Sequence, residues 1–198
     1  LPHQAPGLKF IKTLGSGRDG GFGLMPSPSH QAMFCVFDSD TAAQNFIDQS
    51  SLVDRYRHRS EELFIATLRA ASVRGSWDGM SLVATASLSG DSPVATLTRA
   101  SIRAPAAAAF WRLAPAAQSG LHHAEGCDLA TGMGEAPFLR QATFSLWRNT
   151  AAMEAYARHG AHLDAIRAAW KHQFFSESMF VRFLPVRLQG QWKGRVYD

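Results

Sequence analysis

Apolar and polar residues alternate along Leu8–Leu14 (LKFIKTL), and a period of two puts every second side chain on one face of a strand. The same criterion predicts strands over Ser29–Phe37, Leu63–Ser72, Ala95–Arg103, Asp128–Met133, Phe138–Trp147 and Ser178–Val186. Helical spacing begins near Thr41 and runs to about Arg57, with Asp38 or Asp40 as the N-cap. Pro105 suits the first turn of a second helix through APAAAAFWRLA. A third helix starts at Thr150 and is interrupted near Gly160. Glycines predict a loop over Gly15–Gly23 and a turn over Gly132–Glu135, and residues 78–94 read as a connection.

The pattern repeats. Gln31-Ala32-Met33-Phe34 aligns with Gln141-Ala142-Thr143-Phe144, an offset of 110 that also pairs Phe37 with Trp147, Phe46 with Tyr156 and Leu52 with His162. Further on, Ser60–Phe64 aligns with Ser176–Phe180 at an offset of 116, so the second copy is expected to carry about six extra residues. Gly75-Ser76-Trp77-Asp78-Gly79 and Gly190-Gln191-Trp192-Lys193-Gly194 are matching ends. The expected organisation is a first half over 1–77, a linker over 78–94 and a second half over 95–198. The second half reads β-α-β-β-α-β, the split βαβ unit of ferredoxin-like folds. The first shows β-β-α-β, and its opening strand and helix are expected upstream of Leu1. The expected fold class is α+β: two fused ferredoxin-like halves whose sheets face each other in a barrel of the dimeric α+β type.

Composition narrows the function. With 46% hydrophobic and 18% charged residues the chain resembles ordinary globular proteins. A net charge of +4 is scattered, without the basic face and interleaved aromatics of a nucleic-acid binder. Cys35 and Cys127 lack metal or disulfide spacing, and Cys35 in an apolar strand reads as a buried thiol. No apolar run reaches the roughly 20 residues that span a bilayer. The glycines at 15–23 fit neither dinucleotide nor P-loop spacing, and Ser16 lacks the strand–turn–helix setting of a hydrolase nucleophile.

His162 is the candidate metal ligand. Its counterpart Leu52 is apolar, so the position points inward, and His159, His162, Leu163, Ile166 and Trp170 fall near one helical stripe. Neutral imidazole binds haem iron well, although a core histidine bonded to a backbone carbonyl fits the same pattern. In β-alternation, Arg140, Ala142, Phe144 and Leu146 share one face, and Gln141, Thr143, Ser145 and Trp147 the other. With a cofactor between helix and sheet, Arg140 and Phe144 are expected to approach it beside Ile166. Arg140 and Gln141 are the candidate catalytic residues, although an edge-strand surface arginine fits position 140 equally well. His122 and His123, being adjacent, cannot both face one metal; His30 could line a pocket; His3, His58 and His172 read as surface. One cofactor site per chain is expected, the matching space in the first copy being filled by Leu52, Phe46, Phe34 and Tyr56.

Leu97–Arg103 (LTRASIR), Gly132–Trp147 (GMGEAPFLRQATFSLW) and Tyr156–His162 (YARHGAH), with Gly15-Ser16-Gly17 and Arg74-Gly75-Ser76-Trp77, resemble the spheroidene monooxygenase family. The resemblance covers nearly the whole chain. It implies a haem b (iron) cofactor, insertion of oxygen from O2 at C-2 of acyclic carotenoids to 2-hydroxy and then 2-keto products, a ferredoxin-type electron donor, and a cytoplasmic location that admits peripheral membrane contact. Two other functions fit the residues: a haem enzyme of another reaction class (dehydratase, peroxidase-like or N-oxygenase), and a non-catalytic barrel holding an apolar ligand.

Overall fold

The computed structural model describes residues 5–17, 25–136 and 138–198. His3 and the glycine loop beyond Gly17 lie outside them, as does the side chain of His122. In chain order the elements are β1 Leu8–Gly17, β2 Pro26–Phe37, α1 Asp40–Gln49, α2 Ser51–Arg59, β3 Phe64–Gly75, β4 Val94–Ile102, α3 Ala107–Ser119, β5 Cys127–Ala136, β6 Arg140–Trp147, α4 Thr150–Ala157, α5 Gly160–Lys171, β7 Phe175–Trp192 and β8 Arg195–Tyr197. The fold is α+β. Its compact units are discontinuous and cut across the sequence copies: one comprises Leu1–Thr13, Met33–Leu68 and Pro185–Asp198, the other Leu14–Ala32 and Arg69–Leu184.

In the larger unit the strand order is β5-β6-β4-β7, with β4 antiparallel to both β6 and β7. This is the ferredoxin-like order, reached because each helical crossover skips one strand position. β4 takes the centre because it is apolar on both faces: Val94, Ala95, Leu97, Ala100 and Ile102 are all buried. Two expectations change here. Gly132–Glu135 is not a turn but part of β5, where a Cβ on Gly134 would lie 2.6 Å from the Arg140 carbonyl oxygen. The turn falls at Phe138, whose φ is +66°. The break near Gly160 is present, dividing α4 from α5.

In the smaller unit one predicted helix is two. Ser39, not an aspartate, caps α1 by accepting from the Ala42 N–H, and Ser50 caps α2 by accepting from the Leu52 N–H. Phe37 meets Phe46 at 5.2 Å between ring centroids, while Phe34 meets Phe10 at 6.4 Å. Phe34 therefore lies on the face away from Phe46, and the expected first-copy cluster is corrected to exclude it.

The repeat is also revised. Glu62 accepts from the N–H groups of Lys193 and Gly194 and from the Gln191 amide. Correspondingly, Glu177 accepts from the Gly79 N–H and the Ser76 hydroxyl. Gln191 N–H donates to Leu63 O as Ser76 N–H donates to Ser178 O. These pairs set the offset at 115, not 116, leaving five extra residues. Asp78 and Lys193 both have φ +50°. Each turn is thus held by a glutamate from the beginning of the other copy's last strand.

Arg99 is the most buried charge among the described residues, 1% exposed in the centre of β4. Its guanidinium donates to Glu177 at 2.5 Å and Glu135 at 2.9 Å, has Asp78 at 3.5 Å, and lies 5.3 Å from the Trp77 ring centroid. Trp77 Nε1 adds a bond to Glu135 at 3.0 Å. Arg99 Nε is the single buried side-chain polar atom lacking a partner among the described residues. Burial pushes the Glu177 carboxyl up, but hydrogen bonds from the Gly79 and Ser76 turn, Asp78 and Arg99 outweigh it and hold it down at about 2.

Two predictions follow from these turns. Gly75 (φ +83°) and Gly190 (φ +96°) carry no Cβ because one would overlap the carbonyl oxygens of Ser178 and Leu63. Gly75→Ala and Gly190→Ala should each cost about 3 kcal/mol or more. Gly79→Ala and Gly194→Ala, with open space and only a positive φ, should cost about 1–2 kcal/mol in the same denaturant titrations. A depressed Glu177 pKa stabilises the fold above the ordinary carboxylate range, and that contribution is lost as pH falls toward 2. Glu177→Gln should accordingly flatten the decline of Tm between about pH 4.5 and 2, as followed by circular dichroism.

Candidate functional site

The site is organised by the pleat of β6. Trp147 packs with Val94, Leu121, Ala130 and Met153, and Tyr156 of α4 lies on its ring at 5.4 Å. Its face, carrying Gln141, Thr143 and Ser145, is therefore the helix side of the sheet. Ser145 is buried and bonded to both Trp147 Nε1 and Thr96, so the polar groups here are satisfied in place. The Trp147–Tyr156 pair is the counterpart of Phe37–Phe46 in the other copy, as the 110-residue offset predicted.

Tyr156 also meets His162, its ring tilted 35° to the imidazole with centroids 4.9 Å apart. His162 is half-buried on α5, and burial lowers its pKa, so the imidazole is neutral at pH 7. It has no hydrogen-bond partner among the described residues. The alternative of a core histidine satisfied by a backbone carbonyl is not what the structure shows. Ile166, one turn on, is half-buried, as is Leu163. The stripe differs from expectation at its ends: Trp170 is 74% exposed, and His159 is the exposed N-cap residue of α5, bonded to Ala155 O.

Arg140 and Phe144 do not join this group. They alternate with Gln141 and Thr143, so they face away from α4 and α5; Phe144 pairs in register with Leu97, and Ala142 with Arg99. This corrects the expectation that both approach a cofactor beside His162. Gln141 does lie on the helix side, half-buried, its amide 3.5 Å from Ala136 O. The sheet is partly uncovered on that side: Thr98, in the central strand, is exposed. Next to Tyr156 a surface concavity of about 440 Å³ is lined by Ala124, Arg148, Asn149, Ala152 and the tyrosine itself.

Other candidates are accounted for. His30 Nδ1 bonds to the Ser27 and Ser29 hydroxyls, His58 to its own helix, and His172 is exposed and stacked on Phe174. Burial raises the Cys35 thiol to about 12 and the Cys127 thiol to about 11, so neither is a thiolate at neutral pH. Among the described residues no three His, Cys, Asp or Glu side chains cluster as a metal site. Two contributions were missed from sequence. Tyr156 was aligned with Phe46 without being given a part. The Arg99 cluster had one signal, a charged residue inside the apolar run LTRASI.

No family model matches the chain. Among curated proteins it is 54% identical over 192 residues to spheroidene monooxygenase of Rubrivivax gelatinosus, covering 97% of this chain and 74% of the relative. It is 34% identical to the Rhodobacter capsulatus protein of that name, covering 98% and 82%, and 31% identical to that of Cereibacter sphaeroides, covering 98% and 60%. Among solved structures, a protein of Fusobacterium nucleatum provisionally described as a monooxygenase aligns with TM-score 0.47 and 9% identity, covering 97% of this chain and 81% of the other. One from Lactobacillus acidophilus, similarly described, gives TM-score 0.46 and 12% identity, covering 95% and 82%. On the sequence identities and their coverage, the chain is a monooxygenase belonging to the spheroidene monooxygenase family.

Proposed function

We propose that this protein is a haem-dependent monooxygenase that inserts oxygen from O2 at C-2 of acyclic carotenoids such as spheroidene, drawing electrons from a ferredoxin-type donor. The relatives' name supports the substrate class. The observation that supports the cofactor is His162: an imidazole whose pKa is lowered by burial, its ring 4.9 Å from that of Tyr156, with no hydrogen-bond partner among the described residues. A neutral imidazole with no hydrogen-bond partner among the described residues keeps a nitrogen lone pair that could bind iron.

Haem, when bound, supplies the activation of O2 that an unactivated carbon requires. The chain's own residues do the rest. His162 would hold the iron through a ring nitrogen, and the Tyr156 ring 4.9 Å away would limit how its imidazole turns. Ile166 offers an apolar contact on the same helix. Gln141 and Thr143 present neutral polar groups from the helix side of β6, able to orient a bound molecule without adding charge to an apolar site. Leu52 stands at the matching position of α2 and offers no lone pair, so the proposal is for one haem per chain.

No helix among the described residues is long and apolar enough to cross a membrane. A cytoplasmic enzyme meeting its apolar substrate at a membrane periphery is part of the same proposal.

Titration of the haem-free protein with haem should give one equivalent and a Soret band, and His162→Ala should shift that band and lower affinity at least about tenfold, as loss of a metal ligand does. An unchanged spectrum would overturn the ligand assignment. Loaded protein given reduced ferredoxin, O2 and spheroidene should release the 2-hydroxy and 2-keto products; full loading without oxidation of any acyclic carotenoid would overturn the substrate.

A further inference from the structure

One end of the larger unit gathers exposed apolar side chains and unpaired arginines. Phe138 and Leu139, at the β5–β6 turn, are 50% and 38% exposed. The indole of Trp111 on α3 donates to Phe138 O at 2.9 Å, which seats its ring against the turn. Ile102 N–H donates to Leu139 O at 2.7 Å, bringing the end of β4 alongside. Arg103 follows, its Nε bonded to Phe175 O at 3.1 Å, and Arg140 leaves the other side of the turn. Both arginines are exposed, and neither forms an ion pair among the described residues.

Two features separate this surface from incidental exposure. Phe138 is held at φ +66°, a conformation cheap for Gly or Asn and strained for a bulky ring, yet the ring is left in solvent. The charge is also one-sided: no Asp or Glu occurs over residues 102–124 or 136–153. Nearby Glu135 is 11% exposed and committed to Arg99. Exposed aromatic and aliphatic tips flanked by arginines match the headgroup–acyl boundary of an anionic bilayer. There apolar side chains enter, an indole sits at the interface and guanidinium groups meet phosphates.

We propose that the β5–β6 turn is a membrane-docking surface for bilayers with anionic headgroups: Phe138 and Leu139 insert, Trp111 lies at the boundary, and Arg103 and Arg140 engage lipid phosphates. This surface is independent of the haem assignment and requires no amphipathic helix.

The test is vesicle flotation of the haem-free protein with phosphatidylcholine alone and with phosphatidylcholine containing phosphatidylglycerol, alongside tryptophan quenching by brominated lipid. The protein should float with the anionic vesicles, and its emission should be quenched. Phe138→Asn combined with Leu139→Ser should lower partitioning at least tenfold. Phe138→Asn alone should leave Tm unchanged or raised, because Asn accepts the left-handed backbone, and this separates docking from folding. Arg103→Gln and Arg140→Gln should each weaken binding to anionic vesicles about fivefold and leave the weak binding to neutral ones alone. Failure to float with anionic vesicles would overturn the proposal, as would flotation that the Phe138 and Leu139 changes do not affect. Retained flotation with loss of electron delivery from a protein donor in these variants would also overturn it, assigning the surface to a protein instead.

Discussion

A guanidinium group removed from water must be matched by partners that come from several segments at once, and Arg99 imposes that condition on the larger unit. Its carboxylate partners arrive from β5, β7 and the turn after β3, so the cation is compensated only when all three are in register. Removing one partner of such a buried pair costs about 3–5 kcal/mol, whereas an apolar replacement of the whole set can be neutral. The cluster is therefore better understood as fixing an arrangement than as adding net stability. It joins β4 to β5, β7 and the turn after β3 on one face of the sheet, while Trp147 and Tyr156 pack on the other.

Much of the organisation was written in local patterns. The offset of 110 paired Phe37 with Trp147 and Phe46 with Tyr156, and both pairs make the same aromatic contact. The β-α-β-β-α-β order of the second half emerged because each period is sustained over six or more residues. The offset over the last strand missed by one. Ser-Glu in both copies is a tempting match, but backbone contacts, which align Leu63 with Ser178, follow conformation and not side-chain identity.

The half-buried position of His162 was legible; its surroundings were less so. Alternation divides a strand into two faces but does not say which one meets the helices. Arg140 and Phe144 were placed with His162 on chemical attraction alone, and the packing of Trp147 decides against them. Phe34 was misplaced for the same reason in the first copy. Ion clusters such as that around Arg99 are written in residues 99, 135 and 177, too far apart for any local pattern to connect.

Glu62 on the turn at 191–194 and Glu177 on the turn at 76–79 are reciprocal exchanges between the sequence copies, of the kind that two identical subunits make in a homodimer. In a homodimer every substitution is made twice, so a histidine or a leucine introduced at such a position would appear in both halves. Joining the halves in one polypeptide releases them from that identity. Asp78 could become part of the charge cluster while Lys193 did not, and one half could keep an imidazole while the other kept a hydrocarbon. Carrying both copies on one polypeptide amounts to a licence for asymmetry: either can change at a matching position without the change being repeated in the other.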